Sequence, residues 1–373
     1  MYEQQIRENI IFLMFYAAVA MLSLIACCYL LFRRANAFAP YVTPSVRLRR
    51  WTAAFFASMT LSHLWYSPIA FLNSREDIML SYIIGATLDF LILIPIAIII
   101  LLVMLQDRRR PLWLVGIMVV PPAVALAVCF FRRSDSLLPQ IYTYHLLSGI
   151  GLAIYMIRAT RQYGRWLREN YADLEHKEVW QSFIVLAIIL LVFSIYSLNV
   201  KGLVFKYITQ VNNIILVCYF LWRVETLSDL SIPVKEPEEE MAATENVEDN
   251  DFSLSIRNKI GPLLKQHCED AQLYLQYDTS ITQLAKVIGT NRSYLSNYFA
   301  TNGTTYNAYI NGLRIQHFIK LYREAVATHQ PVITKSLAYQ SGFRSYSTFS
   351  AVFKQIMGTN ATDWMRTMTE NEK

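Results

Sequence analysis

The sequence predicts an all-α chain: a seven-helix transmembrane bundle, an acidic disordered linker, and a C-terminal all-helical domain with two helix-turn-helix units. Three observations carry this prediction. Seven apolar runs, each about the 20 residues a helix needs to cross a bilayer, fill residues 1–224. A strongly acidic stretch, 225–251, follows them. Between Ile281 and Lys354 one short pattern of small, glycine and apolar positions then occurs twice.

Composition separates the same three segments. Hydrophobic residues make up 54 % and charged residues 17 %, too apolar for an ordinary soluble protein. The net charge is +9 over residues 1–224, −9 over 225–251 and +6 over 252–373. Cys27, Cys28, Cys129, Cys218 and Cys268 make no CxxC and no Cys/His ligand spacing, so neither a zinc site nor another metal site is expected. No cofactor motif occurs. The first apolar run is too long for a cleaved leader and ends without a small-residue cleavage site.

The seven runs are Asn9–Phe32, Trp51–Leu72, Ile78–Leu105, Leu112–Phe131, Pro139–Ile157, Trp180–Asn199 and Leu203–Trp222. The fifth and seventh are the most polar: His145 and several tyrosines interrupt one, and Lys206, Gln210, Asn212 and Asn213 the other. Positive residues favour the cytoplasmic side. The odd-numbered loops carry 13 of them, among them Arg47, Arg49, Arg50, Arg108–Arg110, Arg161, Arg165 and Arg168, whereas the N-terminus and even loops carry 5. The N-terminus is therefore expected outside and the C-terminal domain inside. Trp51, Trp113, Trp180 and Trp222 sit at span ends, where interfacial anchors belong.

Within the spans, Asp89, His63 and His145 are the candidate signal-sensing groups, because an ionisable side chain in hydrocarbon is costly and so marks function or helix-to-helix bonding. Pro68, Pro95, Pro121 and Pro122 are expected to kink their helices. The spans contain no HExxH, no paired intramembrane aspartates and no repeat. An intramembrane enzyme would rest on Asp89 and two histidines alone, and no enzymatic role is expected.

The linker, with the run Glu236–Glu240 and then Glu245, Glu248, Asp249 and Asp251, is expected to be disordered by like charge and low hydrophobicity. It reads either as a spacer or as an acidic strand competing with a nucleic acid for the basic domain that follows. A helix is predicted over Phe252–His267, with Ile256, Ile260, Leu263 and Leu264 on one face.

The duplicated pattern is Ala285, Gly289, Leu295, Ser296, Phe299, Gly303 and Tyr309, then Ala338, Gly342, Phe349, Ser350, Phe353, Gly358 and Trp364, at offsets of 53 to 55 residues. In each copy a helix with a small inward residue meets a glycine turn and then a second helix with an apolar inward face. The second helix of such a pair enters the DNA major groove. In the first copy Thr290 or Asn291 is placed to cap that helix, and Arg292, Ser293, Ser296 and Asn297 are left outward. Arg and Asn suit bidentate contacts with guanine and adenine edges. In the second copy Arg344, Tyr346, Ser347, Ser350 and Lys354 are outward or near the ends. Tyr306–Ala327 reads as one long helix joining the copies.

On the stretches LAKVIGTNRSYLSNYF (284–299), YINGLRI (309–315) and SGFRSYSTFSAVFK (341–354), residues 252–367 resemble the DNA-binding domain of AraC/XylS-type transcription regulators. The resemblance implies about seven helices with two recognition helices in adjacent major grooves. By family position Arg292, Ser293, Ser296 and Asn297 match DNA contacts of the first recognition helix, and Tyr346, Ser347, Thr348 and Ser350 those of the second. Ala361 departs from the proline usual there, and Ala351 stands where many members carry a basic or polar contact residue. The family's usual soluble N-terminal domain is replaced by the apolar bundle.

The expected function is a one-component regulator in a bacterial inner membrane, multi-pass, binding double-stranded promoter DNA under a signal sensed in or at the membrane. Its partners would be promoter DNA and the lipid bilayer; RNA polymerase, a second copy of the chain and an unidentified ligand stay open. The alternative is a seven-span receptor whose helical tail docks a protein.

Overall fold

The structure, a computed structural model, describes residues 2–33, 36–40, 42–72, 74–134, 136–188, 203–230 and 259–371. The chain is all-α, and among the described residues only isolated bridges accompany the helices. It divides into two compact units: Met1–Tyr163 with His176–Val234, and Gly164–Glu175 with Lys235–Lys373.

The first unit contains helices α1 (Tyr2–Phe32), α2 (Val46–Tyr66), α3 (Arg75–Leu88), α4 (Ile94–Met104) and α5 (Trp113–Arg132). It also holds most of α6 (Leu138–Asn170), and all of α7 (Leu203–Thr226). Four helical segments are long and apolar enough to cross a membrane: Ile10–Phe32, Arg75–Met104, Trp113–Arg132 and Val204–Thr226. They match the first, third, fourth and seventh expected runs. The second run is α-helical only to Tyr66, within α2, and the fifth lies within α6, but α2 opens on Arg47, Arg49 and Arg50 and neither helix is both long and apolar enough to cross. The sixth is helical over 180–188, and its remainder lies outside the described residues.

The four spans keep apolar side chains exposed, such as Ile25 and Phe32 on α1, Ile117 and Val124 on α5, and Val204 and Val211 on α7. A helix apolar on both its packed and its exposed faces suits a lipid environment. Of the prolines, Pro68 lies in the 3₁₀ turn Ser67–Phe71 that follows α2. Pro95 opens α4 after a π-helical turn, Asp89–Leu93. Pro121 and Pro122 lie inside α5.

One end of this unit gathers the first, third and fifth loops with the end of α7. Glu225, fully buried, pairs with Arg49 at 3.3 Å and accepts from the Tyr29 hydroxyl at 3.4 Å. Asn36 donates to the carbonyls of Val42 and Glu225. Gln106 donates to the Ser228 carbonyl and accepts from the Leu230 amide, and the Ser228 amide donates to the His176 carbonyl at 2.8 Å. Elsewhere Arg133 of the fourth loop pairs with Glu76 of the second at 3.2 Å.

In the second unit, a helical stretch at 259–264 continues into the wider turn Lys265–Asp270; the expected helix from Phe252 lies outside the described residues up to 258. Helices α8 (Ile281–Val287), α9 (Arg292–Thr301), α10 (Tyr306–Ala327), α11 (Thr334–Gln340), α12 (Tyr346–Met357) and α13 (Ala361–Asn371) follow. Their starts are set by side-chain caps, which satisfy backbone amides a helix leaves unpaired. Ser280 and Gln283 form a reciprocal capping box, and Asn291, Thr305 and Ser345 cap α9, α10 and α12. Two hydrophobic clusters lie along α10. One includes Leu284, Ala285, Leu295, Phe299 and Ile310. The other includes Phe318, Ala338, Phe343, Phe349, Phe353 and Trp364.

Candidate nucleic-acid interface

Each helix pair is closed by a glycine in the left-handed region, Gly289 at φ 71° and Gly342 at φ 86°. At Gly342 a second constraint applies: a Cβ there would lie 2.8 Å from the Leu275 Cα and 3.2 Å from the Arg314 Nε. Only glycine fits both the backbone and the space. The second helices of the pairs, α9 and α12, bury Leu295 with Phe299, and Phe349 with Phe353. Phe318 of α10 lies against the latter two, with ring centroids at 4.6 and 5.5 Å. Fixing the inward pair at a four-residue spacing decides which residues face out.

On α9, Arg292, Ser293 and Asn297 are exposed and Ser296 half-buried. On α12, Ser347 and Lys354 are exposed, while Thr348 and Ser350 are half-buried. Tyr346 is also half-buried, with its ring 5.7 Å from that of Phe349, so part of it belongs to the core. The Ser345 hydroxyl, besides capping α12, lies 3.0 Å from that of Ser347 and 2.9 Å from that of Thr348. Arg344, just before α12, is paired with Asp278. The sequence-derived residues therefore fall into two groups, one at each second helix, with Arg292, Ser293 and Asn297 exposed in the first and Ser347 and Lys354 in the second.

The centre of the unit holds a group that sequence reasoning missed. Arg314 of α10 is fully buried, 0 % exposed, and its guanidinium meets the Asp173 carboxylate at 2.6 and 3.3 Å. It also donates to the carbonyls of Tyr274 at 2.7 Å and Gln276 at 2.9 Å, and its guanidinium carbon lies 5.7 Å from the Phe343 ring centroid. The Asp278 amide donates to the same carboxylate at 2.8 Å. Asp173 belongs to the short segment Gly164–Glu175, which is part of this unit although it comes from the first half of the chain.

That segment makes further bonds. The Ala172 amide donates to the Thr279 carbonyl at 3.1 Å, Asn307 donates to the carbonyls of Tyr171 and Ala172, and Ala172 is buried in the first hydrophobic cluster. Two bonds reach sequence-derived contact residues: Arg292 Nε donates to Asn170 Oδ1 at 2.7 Å, and the Thr348 hydroxyl donates to a Glu175 carboxylate oxygen at 3.4 Å. The sequence held one hint of this arrangement, a cationic residue at 314 between the apolar Leu313 and Ile315. Nothing local marked Asp173 as its partner.

Burial shifts several acids of this unit. The Cys268 thiol, fully enclosed, is pushed up to about 12 by desolvation and then by Glu269. Desolvation also raises Tyr274, Tyr306 and Tyr309, and the Tyr309 hydroxyl donates to Glu269 at 2.9 Å. His317 is lowered, first by desolvation and then by Lys320. Among the described residues no cluster of three His, Cys, Asp or Glu side chains could hold a metal.

In the first unit, two of the intramembrane candidates sit in polar surroundings. Asp89 accepts from the Tyr66 hydroxyl at 3.0 Å, and Gly85 leaves room for that ring, since a Cβ there would lie 2.3 Å from it. His63 is buried, with Nδ1 2.7 Å from the Met59 carbonyl, Nε2 2.9 Å from the Gln210 side-chain amide, and its ring 4.6 Å from that of Tyr16. The His145 side chain lies outside the described residues.

The model of a helix-turn-helix domain matches residues 284–367. This range runs from α8 into α13 and includes both helix pairs. A TCP pilus virulence regulatory protein from two strains of Vibrio cholerae serotype O1 is 34 % identical over 80 residues, covering 21 % of this chain and 27 % of that protein. A Staphylococcus aureus protein named an uncharacterized HTH-type transcriptional regulator is 29 % identical over 94 residues, 25 % of this chain and 12 % of that protein. This chain thus spans about a quarter or less of the length of these relatives. No solved structure matches. The C-terminal region is a helix-turn-helix domain.

Proposed function

We propose that the chain is a membrane-embedded transcription regulator whose second unit reads double-stranded promoter DNA through α9 and α12. The observation that carries this reading is the pair of helix-turn-helix units on one long helix, with Arg292, Ser293 and Asn297 exposed on one second helix and Ser347 and Lys354 on the other. The match over 284–367 and the regulators of Vibrio and Staphylococcus support it.

Four apolar helices support the membrane part, which we read as seven spans with the N-terminus outside and the DNA-reading unit in the cytoplasm of a bacterial cell. The gathering of the first, third and fifth loops with the end of α7 at one end of the first unit supports an odd number of spans, which places those segments on one side, and the excess of Lys and Arg in those loops supports the cytoplasmic side for that end. Asp89 and His63 are the groups we assign to sensing, each bonded to a polar partner within the spans. RNA polymerase and a second copy of the chain are partners of the same reading.

The test uses the full chain in detergent and a random-sequence duplex library. Repeated selection at low salt should enrich a discrete sequence, and binding should weaken steeply as salt rises, because phosphate neutralisation releases counterions. A folded protein that enriches nothing would defeat the reading. A reporter fused after Trp222 that is active only outside the cytoplasm would defeat the orientation.

A further inference from the structure

We infer that Gly164–Glu175 is a permanent limb of the DNA-reading unit and that Asn170 positions Arg292 for base contact. This rests on the function proposed above. The segment contributes what a folding unit requires of its own residues. It supplies the counter-ion of a fully buried arginine through Asp173, a core side chain through Ala172, and carbonyl acceptors for Asn307. The Tyr171–Ser280 bridge lies at the residue that caps α8.

Asn170 is the last residue of α6, and its orientation is set from within that helix, because Nδ2 donates to the Trp166 carbonyl at 2.6 Å. Its Oδ1 is thereby turned to Arg292, accepting from Nε at 2.7 Å. A guanidinium has five donors in a fixed plane. Anchoring Nε holds that plane while the two terminal nitrogens keep the fork that reads guanine. Rigidifying a long side chain before binding lowers the entropy lost on binding.

Asn170 could instead compete with DNA for Arg292. Magnitudes keep the limb in place either way. One bidentate base contact discriminates by roughly 5- to 150-fold, whereas stripping a buried charge of its partner costs on the order of 150- to 4000-fold in equilibrium. A single contact to DNA is too weak to draw the segment away from Arg314. The limb therefore stays docked when DNA binds, and affinity for the selected duplex distinguishes positioning by Asn170 from competition.

Two arms on the full chain test this. In the first, a protease site is placed within residues 235–250 and the chain is cut in detergent without denaturant. The C-terminal fragment is expected to stay with the membrane fragment, held by the limb. Its release from the otherwise unaltered chain would overturn the limb.

The second arm measures the affinity ratio between the library-selected duplex and a shuffled duplex. Asn170→Ala should lower that ratio about tenfold, as one lost bidentate base contact does. Asn170→Asp, which keeps the acceptor but loses the donor to Trp166, should restore it in part, and Asn170→Ala combined with Arg292→Ala should lose no more than Arg292→Ala alone. An unchanged ratio, a multiplied loss, or tighter binding by Asn170→Ala would overturn the positioning role. If the unaltered chain enriches no duplex, DNA reading and positioning fall together, while the cleavage arm, which needs no DNA, still decides the limb.

Discussion

Replacing Asp173 by alanine isolates the interaction on which the second unit is centred. The Arg314 side chain is 0 % exposed and that of Asp173 4 %, so solvent screens the pair little. Without the carboxylate, the guanidinium keeps the Tyr274 and Gln276 carbonyls at 2.7 and 2.9 Å but loses the carboxylate that balances its charge. Removing one partner of a buried pair costs about 3–5 kcal/mol. The Asp278 amide loses its acceptor as well, but neighbouring losses are not additive, so the same range stands for the whole change. Pulse proteolysis of the full chain in detergent across a urea series, followed through a C-terminal tag, reads the midpoint of the second unit. With a denaturant slope of about 2 kcal/mol/M, the midpoint should fall by roughly 2 M. Asp173→Leu combined with Arg314→Met should be more stable than Asp173→Ala alone, because no uncompensated charge is then buried. A shift within about 0.5 kcal/mol, the range of surface substitutions, would refute the reasoning.

Gly342→Ala should destabilise the second unit by about 1–3 kcal/mol in the same assay, the scale of a residue held in a disfavoured backbone region, since its φ is 86° and its Cβ would lie 2.8 Å from Leu275. The fully buried Cys268 should resist a membrane-permeant thiol reagent that labels the lipid-facing Cys28 and Cys218 in the native chain; equal labelling rates would count against the packing. Folding favours the neutral forms of Cys268, Tyr274, Tyr306 and Tyr309, so their contribution is fully present below the ordinary values of 9.0 and 10.0 and is lost as pH rises toward the folded values. The urea midpoint should therefore fall between about pH 9 and pH 12, and a flat profile would contradict the burial of these groups. Lys354→Ala should weaken selected and shuffled duplexes alike and reduce the salt slope by about 1 if the residue contacts phosphate. A change in sequence preference would instead place it on a base.

Residue periodicity made the two helix pairs legible. Ala285, Leu295, Phe299, Ala338, Phe349 and Phe353 each mark an inward face at helical spacing, and all six are buried. Turn chemistry was legible for the same reason: Gly289 and Gly342 take positive φ, and of the two caps considered for α9, Asn291 makes the bond. These signals lie within a few residues of what they specify. The partner of Arg314 lies 141 residues away in sequence, and its neighbours Arg165 and Arg168 argued only for a cationic loop. Pairing over such a separation leaves no periodicity to read, because each partner obeys the local rules of its own helix or loop. Similarly, His63 was legible as a polar residue in an apolar run, but its pairing with Gln210 was not.

The same long-range contacts change where the DNA-reading unit begins. Charge and hydropathy place its start near residue 252, after the acidic linker, and the matched domain starts later still, at 284. By packing, the unit also includes Gly164–Glu175. A fragment of residues 252–373 keeps both helix pairs and Arg314 but lacks Asp173, Ala172 and Asn170, so its buried cation has no counter-ion and its first cluster lacks a side chain. Weak DNA binding by that fragment would then reflect a missing limb rather than a surface unfit for DNA. Supplying residues 164–175 at its N-terminus through a flexible linker should raise its urea midpoint, and Asp173→Ala within the added segment should abolish the gain. An added segment that gives no gain, with the fragment already as stable as the same unit in the full chain, would show that the helix pairs suffice to define the unit.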